Sequence, residues 1–129
     1  MVKGWRRGAF AFAMLCVPAL VAAQGAVKIA GLVELSGPGT TSGTNFDEGA
    51  KLAVKEINIA GGILGRKIDY TSSDTQSQPQ IAKSLAQQAI DQDAYVVLGP
   101  VFSGSILVSM AETRRAEVPN FTGGEAASI

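Results

Sequence analysis

Histidine is absent from this chain, and cysteine occurs once, as Cys16. Imidazole and thiolate are the usual ligands of zinc, and imidazole is the commonest general base. Both chemistries are withdrawn together. A single cysteine closes no intrachain disulfide, so stability must come from a packed core. The chain also lacks a basic stripe and any run of like charges. That argues against nucleic acid or anionic lipid as a partner. It carries no G-x-S-x-G elbow and no Walker sequence, the marks of a serine hydrolase and of a phosphate-binding loop.

The beginning of the chain fixes an expected compartment. Lys3, Arg6 and Arg7 precede an apolar run from Ala9 to Val21, followed by Ala22-Ala23-Gln24. A basic start, a short apolar stretch and a small-residue exit make a secretory signal. Cleavage is expected after Ala23, which gives two parts: a signal peptide, 1–23, and a mature part, 24–129. The run falls short of the roughly 20 apolar residues a membrane span needs. Leu15 before Cys16 is too bulky for a lipid-attachment box, so Cys16 fills the apolar stretch. The expected location is periplasmic or secreted. The mature part keeps eight Lys and Arg against eleven Asp and Glu, and no cysteine. Its length suits one small domain.

The mature part reads as strand–helix units. Val27 to Val33 is a β-rich run and the first strand, ending in a Gly/Ser/Thr loop over Ser36–Gly43. Phe46, Ala50, Ala53, Val54 and Ile57 recur at helical spacing and predict a helix from about Thr44 to Ala60. Thr44 with Asp47 fits a capping arrangement at its start. A glycine pair, Gly61-Gly62, can end that helix in the left-handed conformation. Ile63 and Leu64 are expected to pack back on the helix end, and Gly65 gives the next bend. Lys67 to Ser72 is the second strand. Pro79 suits the first turn of a second helix, whose inner stripe is Ile81, Ala82, Leu85, Ala89 and Ile90. Ala94 to Leu98 is an apolar third strand, as expected when both sheet faces are covered. Ile106, Leu107, Met110 and Ala111 make the inner face of a third helix, and Val118 to Phe121 is the fourth strand.

Repeated βα units imply an α/β fold, a parallel sheet with helices on both faces and right-handed crossovers. The sequence stops at Gly-Gly-Glu-Ala-Ala-Ser-Ile, directly after a strand. A sheet closing there would leave an unpaired edge and an uncovered apolar face, so a fragment of a longer protein is expected.

In open α/β sheets, ligands sit beyond the carboxyl ends of strands where the strand order reverses. With the order 2-1-3-4 that point lies between strands one and three. The lining would be Ser36–Gly43, Gly99–Ser105 and Thr122–Ser128, the densest clusters of Gly, Ser and Thr. Gly99-Pro-Val-Phe-Ser-Gly-Ser105 is the best anion cradle, with Ser103, Gly104 and Ser105 beside the free amides of the third helix. Ser103 either donates to a carboxylate or caps its helix. Gly123, Gly124 and Glu125 make a turn. Gly37-Pro-Gly39-Thr-Thr-Ser-Gly43 misses the dinucleotide fingerprint by one residue, and Pro38 removes an amide from the would-be cradle. The carboxylate pairs Asp47/Glu48 and Asp91/Asp93 are expected at helix ends, in solvent. No cofactor or metal is implied.

Four segments carry a family resemblance: Leu35-Ser36-Gly37-Pro38, Val97-Leu98-Gly99-Pro100 leading into Ser103, Thr122 to Ser128, and the junction of residues 57–68. That junction reads Ile-Asn-Ile-Ala-Gly-Gly-Ile-Leu-Gly-Arg-Lys-Ile. Together they resemble the periplasmic branched-chain amino-acid-binding proteins, type I solute-binding proteins that feed ABC importers. The resemblance covers residues 27–128, the first part of an amino-terminal lobe. It implies an amino acid or similar small polar solute, an ABC permease as partner, and no catalytic role. By position, Ser103 would bond the solute carboxylate, and the backbone of Gly124 and Ala126 would meet its carboxylate and ammonium. Ala126 stands where such binders commonly have a hydroxyl residue, and Ser42 falls near a position that is often aromatic. The family also includes binders of amides, urea and aromatic acids. Two other classes share such a lobe or fold: a receptor's sensing domain, and a secreted α/β enzyme, which would need a nucleophile–base pair.

Overall fold

A computed structural model of the protein describes residues 25–124. The expected signal peptide, its cleavage site and Ala126 lie outside them. The elements run β1 (Val27–Val33), α1 (Thr40–Ile59), β2 (Ile68–Asp74), α2 (Pro79–Asp91), β3 (Val96–Leu98), α3 (Ser103–Arg115) and β4 (Asn120–Phe121). All pairings are parallel, in the order β2-β1-β3-β4. The expected α/β sheet and its strand order are both present. Right-handed crossovers then put α1 on one face and α2 and α3 side by side on the other, as their mutual packing shows.

The core between the sheet and α2/α3 is built from small and branched residues. Leu32 and Val97 from the strands meet Ala86, Ala89 and Ala94, with Leu85 and Val118 at the margin. Ala86, outside the expected stripe of α2, is fully buried, whereas Ile81, Leu85 and Ile90 are half-buried. On α3 only Ile106 of the expected inner face is buried. Ser105, Ile106, Ser109, Glu112 and Thr113 are buried, while Leu107, Met110 and Ala111 are exposed. The reason is the neighbour. The small side chains let α3 lie close against α2, and Glu112 is paired there with Lys83 at 3.6 Å and Arg115 at 3.1 Å.

Helix α1 begins at Thr40, four residues earlier than expected, with Gly39 as N-cap and no capping side chain. Thr44 therefore caps nothing, and Asp47 is a mid-helix residue buried against the sheet. Its carboxylate accepts from the Tyr70 hydroxyl at 2.9 Å and from Lys51 at 2.6 Å. Burial, and then the bond to the anionic Asp47, push the Tyr70 phenol above its ordinary range.

The junction after α1 is more tightly tied than its glycines alone suggest. The Gly62 amide donates to the Ile57 carbonyl at 2.8 Å and the Gly61 amide to Asn58 at 3.3 Å. This pair of bonds is the Schellman arrangement, which satisfies the last helical carbonyls. Leu64 and Gly65, both at positive φ, turn the chain so that Ile63 and Arg66 pair at 2.8 and 2.9 Å. The Asn58 amide then accepts from the Ile68 N–H at 2.7 Å and donates to its carbonyl at 2.9 Å. A helical side chain thus pairs with the first residue of β2. Leu64 does not pack back on the helix: it is 94% exposed, and Ile63 is exposed too. The turn that pairs Ile63 with Arg66 places Leu64 at its tip, at φ 50°, where the side chain stands in solvent.

Candidate functional site

The switch point between β1 and β3 opens at the carboxyl edge of the sheet, where three loops meet. The loop after β1 is short, because α1 starts at Thr40. Ser42 is thus an exposed residue of the first turn of α1 rather than part of a loop. Ser36 is held by Asp74 at the tip of β2. Its hydroxyl donates at 2.6 Å and its amide at 3.1 Å, and the Leu35 amide adds a bond of 2.9 Å. Burial acts to raise the Asp74 pKa, but the bonds from Ser36 and the amides of Gln76 and Leu35 outweigh it and hold the carboxyl below its ordinary value. A lowered folded-state pKa stabilises above the unfolded value and is lost as pH falls through the folded one. Titration followed by the amide proton shifts of Leu35 and Ser36 should give a midpoint below the ordinary value of about 3.9. A midpoint at or above that value would contradict the clamp.

The loop after β3 runs from Gly99 through a cis Gly99–Pro100 bond into α3. The N-cap of α3 is Phe102, and no side chain caps the helix. Ser103 therefore does not act as a cap; it is the first helical residue, half-buried at the rim. The first intrahelical bond is made by the Ile106 amide, to Phe102, at 2.9 Å. The amides of Ser103, Gly104 and Ser105 thus lie in the turn that a helix leaves unpaired, where its dipole favours negative charge. Ser105 is 1% exposed, with its hydroxyl unpartnered. It lies one turn before Ser109, which accepts from the Asn120 side chain of β4 at 3.4 Å, and two turns before Glu112, which meets Lys83 of α2. Its side chain is covered by the surrounding protein rather than open to solvent. Gly104 lies against Pro79 at the start of α2.

The loop after β4 joins the same rim. The Gly123 amide donates to the Pro100 carbonyl at 3.4 Å, and Gly123 sits beside Phe46 and Val101. Gly124 follows it, half-buried.

Glu34, directly after β1, was not singled out by the sequence. It is 0% exposed, and its two carboxylate oxygens accept from the amides of Val101 and Phe102 at 3.1 and 3.2 Å. The available signal was an acid between an apolar strand and a Gly/Ser loop, where solvated charge is the ordinary reading.

A cavity of about 750 Å³ lies at the opposite edge, lined by Lys28, Arg66, Tyr95, Val118 and their neighbours. There the strands begin and α2 and α3 end, so helix carbonyls rather than amides point towards it. Its two cations are engaged locally, Lys28 with the Gln92 carbonyl at 2.9 Å and Arg66 with the Gly25 carbonyl at 2.7 Å. Among the described residues, no three His, Cys, Asp or Glu side chains gather as a metal site would need.

A parallel sheet whose switch point carries small-residue loops and a helix opening defines a small-molecule-binding lobe. The comparisons with known proteins narrow the class. A sequence model of the family described as "Periplasmic binding protein" matches residues 26–128. The chain belongs to this family of extracytoplasmic solute-binding proteins. The Leu/Ile/Val-binding protein BraC3 of Rhizobium johnstonii is 36% identical over 78 residues, 60% of this chain and 21% of that protein. BasB of Halobacterium salinarum, the substrate-binding protein of a chemotactic signal transduction system, is 36% identical over 93 residues, 70% of this chain and 22% of its own length. Among solved structures, the branched-chain amino acid transporter substrate-binding protein LivJ of Streptococcus pneumoniae, in complex with isoleucine, superposes with a TM-score of 0.77. It is 33% identical and covers 79% of this chain and 30% of its own. The chain thus spans between a fifth and a third of the length of these relatives.

Proposed function

We propose that the chain forms the first part of the amino-terminal lobe of a binding protein that captures an amino acid or a similar small polar solute and delivers it to an ABC permease. The observation that carries this reading is the opening of α3 at the switch point, where Ser103 and three amides free of helical bonds face the rim. Relatives described as Leu/Ile/Val-binding, and a neighbour holding isoleucine, support the solute class. The proposed contacts are the Ser103 hydroxyl, the amides of Ser103 and Gly104, and the backbone of Gly124 and Ala126. Ser42 would form part of the side-chain wall, Ser36 would act through the loop it holds, and Ser105 would contribute its backbone amide at the helix opening. No catalytic step and no cofactor is proposed. Delivery to a chemoreceptor is the second reading, favoured by the chemotactic relative.

Calorimetry on the protein expressed from its complete reading frame, against amino acids, amides and short carboxylates, tests the reading. Saturable binding of at least one is expected. Binding of none would overturn it.

A further inference from the structure

Glu34 is a carboxylate without solvent and, among the described residues, without a cationic partner. Burying such a group is costly unless hydrogen bonds compensate it. Here the compensation comes from two main-chain donors 67 and 68 residues away, each meeting its own oxygen. An apolar side chain of similar size could fill the space without that cost, but it could not hold the two amides.

The surroundings keep the carboxylate in this one place. The first turn of α1 lies across Glu34 so closely that a Cβ on Gly43 would stand 2.2 Å from the Glu34 carbonyl oxygen. A Cβ on Gly39 would stand 2.9 Å from the Glu34 side chain and 2.9 Å from the Phe102 ring. Three segments therefore converge on one side chain: the tip of β1, the start of α1 and the turn into α3. The donors it engages belong to Val101 and Phe102, the two residues directly before Ser103. Beyond them, the amides of Ser103, Gly104 and Ser105 are the donors that the first turn of α3 leaves without helical partners.

We propose that Glu34 is the positioning residue of the solute site: its carboxylate clamps the Val101–Phe102 turn to β1 and so fixes where Ser103 and the opening of α3 stand. The solute consequence rests on the binding function proposed above, whereas the clamp itself does not. Its length matters as much as its charge. Glu34→Asp keeps the anion but withdraws it from the amides by one methylene. Glu34→Gln keeps the reach but leaves an acceptor for only one of the two amides.

The experiment combines amide hydrogen exchange of Val101 and Phe102 with calorimetry, on the protein from its complete reading frame, with L-isoleucine and the other standard amino acids as probes. Melting is recorded for each variant. For Glu34→Asp, exchange at both amides should rise about tenfold or more, and the Kd of the bound probe should weaken about tenfold, since a hydrogen bond to a charged group is lost. For Glu34→Gln, only one amide should exchange faster, and should the aspartate variant not fold, this half-response still decides the matter. Unchanged exchange in the variants would overturn the clamp. Faster exchange with unchanged Kd would overturn the positioning role. An affinity change in Glu34→Gln with Glu34→Asp silent would overturn it in favour of charge alone. If the wild type takes up no probe while Glu34→Asp still frees both amides, the clamp stands and the solute-binding function is what fails.

Discussion

Gly62→Ala is expected to destabilise the protein by about 3 kcal/mol or more, against about 1 kcal/mol for Gly65→Ala. Both glycines lie at positive φ, 84° and 79°, so both substitutions carry the left-handed strain of a residue with a Cβ. Only Gly62 adds a collision. Its Cβ would stand 2.0 Å from the Arg66 carbonyl oxygen and 2.6 Å from the carbon, whereas nothing lies within 4 Å of one on Gly65. The obstacle is main chain and cannot turn aside. Relief requires Arg66 to move, which breaks its pairing with Ile63 and pulls on Ile68, held by Asn58. Each hydrogen bond lost contributes about 1 kcal/mol. Equilibrium unfolding of the two variants in parallel checks this. Equal stability would show that the close approach of residues 62 and 66 is not a feature of the folded protein.

Ser103→Ala should weaken solute binding by about tenfold to a hundredfold, while leaving the melting temperature nearly unchanged. A hydrogen bond to a charged acceptor contributes about 1.5–3 kcal/mol, and a factor of ten corresponds to about 1.4 kcal/mol. The fold should tolerate the change because Ser103 does not cap α3. A control at Ser84, an exposed serine of α2 whose hydroxyl returns to the Gln80 carbonyl, should leave binding as it was. Equal affinity for the Ser103 and wild-type proteins would remove the hydroxyl from the site.

The sheet was legible because its signals are local. Val27–Val33 is a continuous β-rich run, α2 opens on a proline, and Gly61-Gly62 ends α1. The strand order 2-1-3-4, which the crossover rule permits without dictating, is the one found. Position within a helix was less legible. Periodicity picked out Ile106, Leu107, Met110 and Ala111 as the inner face of α3; Ile106 is buried, yet Ser105, Ser109 and Thr113 take the other inward places, where α3 packs against α2 and β4. Nothing in a single helix's apolar pattern reports how near its neighbour stands. Asp47 and Glu34 failed for a related reason. Each is an acid beside apolar residues, and only the partners brought by the fold, Tyr70 and Lys51 in one case and two amides of a distant loop in the other, make burial tolerable. The rim itself was visible as Gly/Ser/Thr clusters at strand ends. Which serines are open at it was not, since Ser36 is held by Asp74 and Ser105 is buried.

The most direct test of the central claim is a crystal structure of the protein from its complete reading frame with a bound solute. The expected result places a solute oxygen within about 3 Å of the Ser103 hydroxyl, at the carboxyl ends of β1 and β3. A solute lodged instead at the opposite edge, near Lys28 and Arg66, with the Ser103 turn covered by other side chains, would contradict the account.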